Sequence, residues 1–435
     1  MHSQSSPARP QNVDAAIIGG GIAGSSLAIV LRREGMDIAL IEREPTFRDR
    51  IRGEAIHPWG VREVHALELQ SVLDEAGAIS LPFWTRYRDS EAAIPYAWRE
   101  DFPESPGGLS VNHVTLQNTL LQTARDAGVQ VYRPAIAKPV FQDNTWHVTI
   151  ASSAGETSIR AKLLIGADGQ RSATRTLIGG SGRRDPIHHQ MGGMLVQGVD
   201  LPRESAHQAF HEAGFGMVYL QQNDLARVYY VCPTDEARTL QGETAKDEFL
   251  RRVGTLYPES AFSNAHAVGP LGFFPNADLV ADRIAGPQSV LIGDAASAND
   301  PSQGHGLALV YRDIRVLRDL LRTTNVTDLP PAFAAARYGY YNVLRHHASW
   351  AAPLSTDTGE RAEALRNQVQ RAREVDPSAG GFAGIFAAGP DGLGVDDTAR
   401  AHFYGEDLPD AEVFEYPLNR LDTSTPGTDS ADETD

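Results

Sequence analysis

The sequence predicts an α/β fold: a Rossmann-like nucleotide-binding domain, a mixed β-sheet domain inserted into it, and helices towards the C-terminal end. Three observations predict it. Residues 14–42, DAAIIGGGIAGSSLAIVLRREGMDIALIE, read as strand, glycine turn, helix, strand and acid in that order. Two further buried strands, at Leu163–Ile165 and Val290–Ile292, each run into a glycine-containing turn. From about residue 190 to 275 the pattern changes to alternating stretches, such as Met194–Val199, Met217–Leu220 and Arg227–Cys232, which read as strands of a separate sheet.

Each part of the first unit has a physical job. Ala15–Ile18 is a buried strand, and Gly19, Gly21 and Gly24 follow in G-x-G-x-x-G spacing. Gly19 allows the tight turn, Gly21 lets a pyrophosphate approach the backbone, and Gly24 lets helix pack on strand. The helix is expected over Ser25–Glu34, closed by Gly35, and its first N–H groups and dipole favour a phosphate. Ile38–Ile41 forms the second strand, and Glu42 at its end can accept hydrogen bonds from a ribose. The unit therefore points to a bound dinucleotide.

Further along, Arg43, Arg48, Arg50 and Arg52 crowd a short loop beside the phosphate position, where guanidinium groups suit phosphate oxygens. Val61–Ala76 has apolar residues at helical spacing and reads as one amphipathic helix. Residues 81–110 read as irregular, with Phe83, Trp84, Tyr87, Tyr96 and Trp98 making a first excursion into a substrate domain. Thr115–Ala127 reads as a helix and Val129–Tyr132 as a strand. Short strands follow at Val140–Phe141, Trp146–Ile150 and Ser158–Arg160. Residues 331–375 read as mainly helical. The expected division is a nucleotide-binding domain at 13–82, 105–184 and 278–330, a substrate-binding domain at 83–104 and 185–277, and a helical region at 331–415. Residues 1–12 and 420–435 are expected to be disordered tails.

Composition narrows the function. A formal net charge of -17 argues against nucleic acid or an anionic membrane as partner. The single cysteine, Cys232, excludes an internal disulfide and a cysteine-rich metal site, and no metal site is expected. No apolar run is long enough to span a membrane and the N-terminus lacks a secretory apolar stretch, so a cytoplasmic location is the expectation. The oligomeric state stays open.

GGGIAG with Glu42, LLIGADGQRSATR and LIGDAASANDPSQGHGLALVYRD stand in the order and spacing of one family. The chain resembles the class A flavoprotein monooxygenases, with the para-hydroxybenzoate hydroxylase-like fold, from about Asp14 to about Asp407. The resemblance implies a GR2-type FAD-binding domain in which Gly19, Gly21, Gly24 and Glu42 hold the ADP half of FAD. It further implies that Asp168 serves the FAD and NAD(P)H pyrophosphates and that Asp294 binds the ribityl chain. Arg50 and Arg52, with Arg43 beside them, would reach the phosphates, and Gln117 would touch the cofactor. Pro301, Gly304, Gly306 and Leu307 would lie beside the isoalloxazine, where the positive end of the following helix would stabilise reduced flavin. Ser297 stands where many members carry His, and the Arg often found at the start of the Gln117 helix is absent, with His113 near it.

The chemistry so implied is reduction of FAD by transient NAD(P)H, addition of O2 to give a C4a-hydroperoxide, and oxygen transfer to a small aromatic or polyketide-like molecule by hydroxylation or epoxidation. Pocket candidates on the substrate side are His57, Gln197, Tyr219, Tyr229, Tyr230 and Phe274, with Tyr or His able to deprotonate or orient a phenol. Three alternatives stand beside this reading: a flavin-dependent reductase or dehydrogenase of an isoprenoid-like substrate, a non-catalytic FAD-binding protein, and a flavin-dependent halogenase. The halogenase is disfavoured. It needs an early lysine and a W-x-W-x-x-I-P segment, whereas the first lysine is Lys138 and no two tryptophans stand two apart.

Overall fold

The computed structural model describes residues 11–376 and 379–405. Strand β1 (Gln11–Ile18) leads through the glycine turn into helix α1 (Ile22–Arg33) and strand β2 (Ile38–Ile41). Gln11 and Asn12, expected in a disordered tail, are the first residues of β1; residues 1–10 and 420–435 lie outside the described residues. Helix α1 starts at Ile22, earlier than the expected Ser25, so Gly24 lies inside its first turn. A Cβ at Gly24 would stand 1.8 Å from the carbonyl oxygen of Gly19. Only glycine permits that approach of helix to turn.

The helix expected over Val61–Ala76 is two helices, α2 (Pro58–Ala66) and α3 (Gln70–Glu75). Glu68 between them has φ 55°, and the break turns both Leu67 and Leu69 into the core at 3% and 0% exposure. Burial of two leucines outweighs the strain of one non-glycine left-handed residue. The segment expected to be irregular contains strand β3 (Phe83–Arg88), which buries Trp84 and Tyr87. Helix α4 (His113–Asp126), begun by the Asn112 side chain accepting from Thr115 N, and strand β4 (Gln130–Tyr132) follow. Then come β5 (Ile136–Gln142), β6 (Thr145–Ser152) and β7 (Gly155–Gly166). The stretches 158–160 and 163–165, read as separate strands, are one strand in β7. Its first half pairs antiparallel with β6, and β1 runs parallel beside it. A short helix, α5 (Ala173–Leu177), closes this part.

The alternating region forms β8 (His189–Gln197), β9 (Ser205–His211), β10 (Gly214–Leu220), β11 (Leu225–Cys232) and β12 (Gly272–Asn276). The chain then returns through β13 (Ser289–Leu291) to the long helices α6 (Gly306–Leu321), α7 (Leu329–Thr356) and α8 (Glu360–Val375), with α9 (Phe382–Ala388) and α10 (Asp397–Tyr404) after them.

Two sheets organise these elements. In the first, β4, β2, β1, β7 and β13 lie side by side, all parallel, with β5 and β6 extending it as an antiparallel edge. Ala15, Ile17, Leu163 and Ile165 face the core under α1, α4 and α6, while Ala16, Ala39 and Leu164 face a second cluster around Trp146. Burial on both faces is why these strands read as continuous apolar runs. The second sheet runs β12–β8–β11–β10–β9–β3. Its two faces follow the two-residue period of a strand. Met217, Tyr219, Tyr229 and Val231 pack on one side with Met191, and Val218, Leu220, Val228 and Tyr230 on the other with Phe249.

His57 stands at the start of α2, 3% exposed, and its Nε2 donates to Gln303 O at 2.9 Å. Burial holds its pKa down at about 4. The folded chain therefore keeps His57 neutral where an unfolded chain would protonate it. The associated stability is present above about pH 6.5 and is lost as pH falls towards 4, by at most about 3 kcal/mol. His57→Gln keeps a donor for Gln303 O but cannot titrate. Denaturant unfolding at pH 7.5 and 4.5 should show a smaller acid loss in His57→Gln than in the wild type; equal losses would refute this account of His57.

Candidate functional site

A cavity of about 610 Å³ runs from the glycine turn after β1, past the arginine loop and the turn before α6, to the face of the second sheet carrying Met217 and Tyr219. Four segments far apart in sequence meet on it because the parallel strands β1, β7 and β13 all end on the same side, where open α/β sheets place ligands.

At one end lie Gly19, Gly21, Glu42 and Gln117. A Cβ at Gly21 would meet nothing nearer than Gln117 Nε2 at 3.7 Å, so the backbone here is open. Glu42 is 7% exposed; its Oε2 accepts from Gly20 N and its Oε1 from Glu44 N, each at 2.7 Å. These bonds fix the carboxylate at the end of β2 and leave further lone pairs for a ligand hydroxyl. Gly24 does not line the cavity; it sets the packing of α1 behind it.

The arginine loop forms one side. Arg43, Arg48, Arg50 and Arg52 all line the cavity. Arg50 pairs with Glu44 at 3.1 Å, Arg43 approaches the same carboxylate at 3.6 Å, and Arg52 approaches Asp294 at 3.7 Å. All three arginines are more than two-fifths exposed, so these pairs hold the side chains loosely.

Asp168, Asp294, Pro301, Gly304, Gly306 and Leu307 also line it. Asp168 is committed to its own turn. Its Oδ1 accepts from the Ser172 hydroxyl, and its Oδ2 from Thr174 N and Oγ1, both at 3.0 Å. Asp294 has Arg52 as its side-chain neighbour and stays open to the cavity. A Cβ at Gly306 would meet nothing within 4 Å, which leaves the N-terminus of the 16-residue α6 accessible. At Gly304, with φ 65°, a Cβ would lie 2.8 Å from His57 Nε2. A side chain there would press on the protein behind the turn rather than into the cavity.

Of the substrate-side candidates, Tyr219, Tyr229 and Phe274 line the cavity. Three do not. Tyr230 faces the other side of the sheet, where its hydroxyl donates to Glu236 at 2.8 Å. Gln197 ends β8, opposite Leu225 and His266, away from the lining. His57 lies behind Gly304, with its ring 4.2 Å from that of Phe386.

Sequence reasoning missed the side chains that hold these parts together. Glu54 and Arg227 are both 0% exposed and pair at 2.8 Å. Glu54 also accepts from Gln221 Nε2 and from His113 N at 2.9 Å. Arg227 reaches both oxygens of Asp49 at 2.9 and 3.0 Å. Burial works against the Arg227 charge, and the hydrogen bonds and charge of Glu54 more than offset it, so its pKa is raised. Tyr229 adds a hydrogen bond from its hydroxyl to Arg52 O at 2.7 Å. The arginine loop is thereby tied to β11.

A second buried pair, Asp313 with Arg337 at 3.0 Å, secures the turn after β13. Asp313 accepts from Gly293 N at 2.8 Å and from the Tyr340 hydroxyl at 2.6 Å, and Arg337 donates to Ser297 Oγ at 2.8 Å. An arginine inside the apolar stretch Leu225–Cys232 was the readable signal for the first pair. Arg337, in an alanine-rich helix, gave none.

Arg227→Met would leave Glu54 and Asp49 without their cation. Breaking a buried pair on one side costs about 3–5 kcal/mol. Denaturant unfolding should show a loss of that size, whereas Arg251→Met, at a side chain standing in solvent, should cost far less; near-equal effects would contradict this role for Arg227.

Among the described residues no group of His, Cys, Asp and Glu is placed to hold a metal, and no helix is long and apolar enough to cross a membrane. Comparison with known proteins agrees with the geometry. The family profile described as FAD binding domain matches residues 12–323. Squalene monooxygenase SE2 of Panax ginseng is 25% identical over 346 residues, covering 77% of this chain and 63% of that protein, so the chain spans a little under two thirds of its length. Menaquinone reductase of Mycobacterium tuberculosis is 25% identical over 347 residues, covering 75% of this chain and 81% of that one. The crystal structure of p-nitrophenol 4-monooxygenase PnpA from Pseudomonas putida superposes with a TM-score of 0.66 at 19% identity, covering 88% of this chain and 96% of that one, which shows a shared fold. The chain belongs to the FAD binding domain family, that of the class A flavoprotein monooxygenases, and is an FAD-binding enzyme.

Proposed function

We propose that this enzyme is an FAD-dependent monooxygenase that uses NAD(P)H and O2 to hydroxylate or epoxidise an aromatic or polyketide-like small molecule. The observation that carries the reading is the continuity of one cavity, open backbone and cations at one end and apolar side chains at the other. The residues present fit FAD. Gly21 and Gly306 leave bare backbone at the N-termini of α1 and α6, and Glu42 is fixed at the end of β2. On this reading 13–82, 105–184 and 278–330 bind the cofactor, 83–104 and 185–277 the substrate, and 331–415, of which 377–378 and 406–415 lie outside the described residues, supports both.

Bound FAD would supply the redox chemistry, accepting a hydride and activating oxygen. The chain's own residues do the rest. Gly21 and Glu42 would hold the ADP half, with Arg50 and Arg52 balancing phosphate charge and Gln117 beside them. Asp294 would accept from ribityl hydroxyls. The dipole of α6 would favour negative charge beside Gly306. Met217, Tyr219, Tyr229 and Phe274 would exclude water from the reacting end. A second reading, reduction of an isoprenoid-like double bond, draws on the similarity to a menaquinone reductase.

Two experiments test these readings. Gly21→Ala adds a methyl group into open space, so it should fold as the wild type does, yet bind FAD at least about tenfold more weakly by blocking phosphate approach. Unchanged FAD affinity would remove Gly21 from the site. Turnover under ¹⁸O2 with NADPH and a panel of phenols, aromatic acids and polyketides should place label in product. Products without label but with a reduced double bond would replace the monooxygenase reading with the reductase one.

A further inference from the structure

The second-sheet wall of the cavity narrows the substrate further, resting on the reading that this end of the cavity receives it. Ile51, Met191, Met217 and Phe274 present hydrocarbon and thioether surface. Among the described residues two hydroxyl groups stand on this wall, and they differ. Tyr229 donates to Arg52 O at 2.7 Å and is occupied. Tyr219 is 4% exposed, and its hydroxyl meets only Met217 Sδ, at 3.7 Å. A thioether sulfur is a weak acceptor. A buried O–H held against one has bonding capacity to offer, and its residue lines the cavity. Burial raises the Tyr219 pKa well above the ordinary phenol value, so the group stays a donor and does not serve as a base.

Among the described residues, none that the second sheet places on the lining is charged. Arg227, on the same sheet, is 0% exposed and sealed by Glu54 and Asp49. Arg52 stands beside Asp294, and Arg184 reaches the lining from a strand of another sheet. A carboxylate or phenolate seated against Met217 and Phe274 would lose its hydration without gaining a cation from this wall.

We propose that the substrate is a largely hydrocarbon molecule carrying one neutral oxygen acceptor, a ketone, ether or alcohol, and that the Tyr219 hydroxyl donates to that oxygen. Tyr219 is then a specificity-determining residue.

The test is calorimetric titration of the FAD-loaded protein with naphthalene, 2-acetylnaphthalene and 2-naphthoate, which share a skeleton and differ in the oxygen. The wild type should bind 2-acetylnaphthalene about five- to tenfold tighter than naphthalene, the worth of one neutral hydrogen bond, and 2-naphthoate most weakly. Tyr219→Phe, which keeps the ring and removes the hydroxyl, should erase the ketone's advantage and leave naphthalene unchanged. A ketone advantage that survives in Tyr219→Phe would overturn the proposal. So would tightest binding of 2-naphthoate, or no binding by any of the three. The titration needs no turnover, so it stands or falls separately from the ¹⁸O2 experiment.

Discussion

The Glu54–Arg227 pair is the constraint on which the cavity depends. Glu54 belongs to the loop that carries Arg50 and Arg52, and Arg227 to the middle of β11 in the other sheet. Taking both charges out of water costs several kcal/mol each, and a pair without further hydrogen bonds would not recover it. The recovery here comes from Gln221, His113 N and Asp49, which add bonds to both groups and leave Arg227 Nη1 as the one guanidinium nitrogen without a partner. Those partners come from the end of β10, the start of α4 and the arginine loop. One desolvated pair thus sets the spacing between the arginine loop and the second-sheet wall of the cavity. Apolar residues of the same volume could pack as tightly, but they would not fix the direction of the loop backbone, which the Tyr229–Arg52 hydrogen bond also holds.

The turn before α6 is held from behind in a comparable way. Asp300 accepts from Ser302 N and from Asn276 Nδ2, both at 2.9 Å, and pairs with His188 at 2.6 Å. Its own N–H donates to Asp278, whose other oxygen accepts from the Tyr341 hydroxyl at 3.0 Å. Burial pushes Asp278 up to about 6; burial also works against the Asp300 carboxylate, but the contacts to His188, Asn276 and Ser302 N together outweigh it and lower its pKa. Arg345 reaches Asp185 at 2.8 Å and Asp278 at 3.7 Å. Helix α7 contributes Arg337, Tyr340, Tyr341 and Arg345 to these networks. It therefore belongs to the architecture of the turn, although it lies outside the cavity lining.

What could be read from the sequence was what is local. The glycine turn, α1 and β2 follow from spacing within about thirty residues, and the parallel strands follow from runs buried on both faces. Strand β3 escaped because its longest pairing is with β9, reached only after the chain has built most of the first sheet, and its local pairings at 91–92 and 96–97 are two residues each, so 81–110 carries no alternation clear enough to stand alone. The break at Glu68 escaped because it needs no glycine or proline; two leucines entering the core decide it. Tyr229 and Tyr230 were equal candidates in the sequence. Only register, with Tyr229 opposite Gly193 and Met217, settles that one faces the cavity and its neighbour does not.

The same distinction separates the parts of the site that define the family from those that define this chain. Residues at the open backbone end, such as Gly21, Glu42 and Asp294, would on the proposed reading act through main-chain geometry and carboxylate hydrogen bonds, and their spacing is enough to pick them out. Residues on the apolar wall act through what their neighbours leave unsatisfied. Tyr219 is distinguished from Tyr229 by the partner each hydroxyl has, and that difference arises because the Arg227–Glu54 pair brings Arg52 O to one ring and not to the other. On the proposed reading, selectivity at this end would follow from a buried ion pair in the framework of the cavity, and substitutions at Glu54 or Arg227 would act on it by moving the arginine loop.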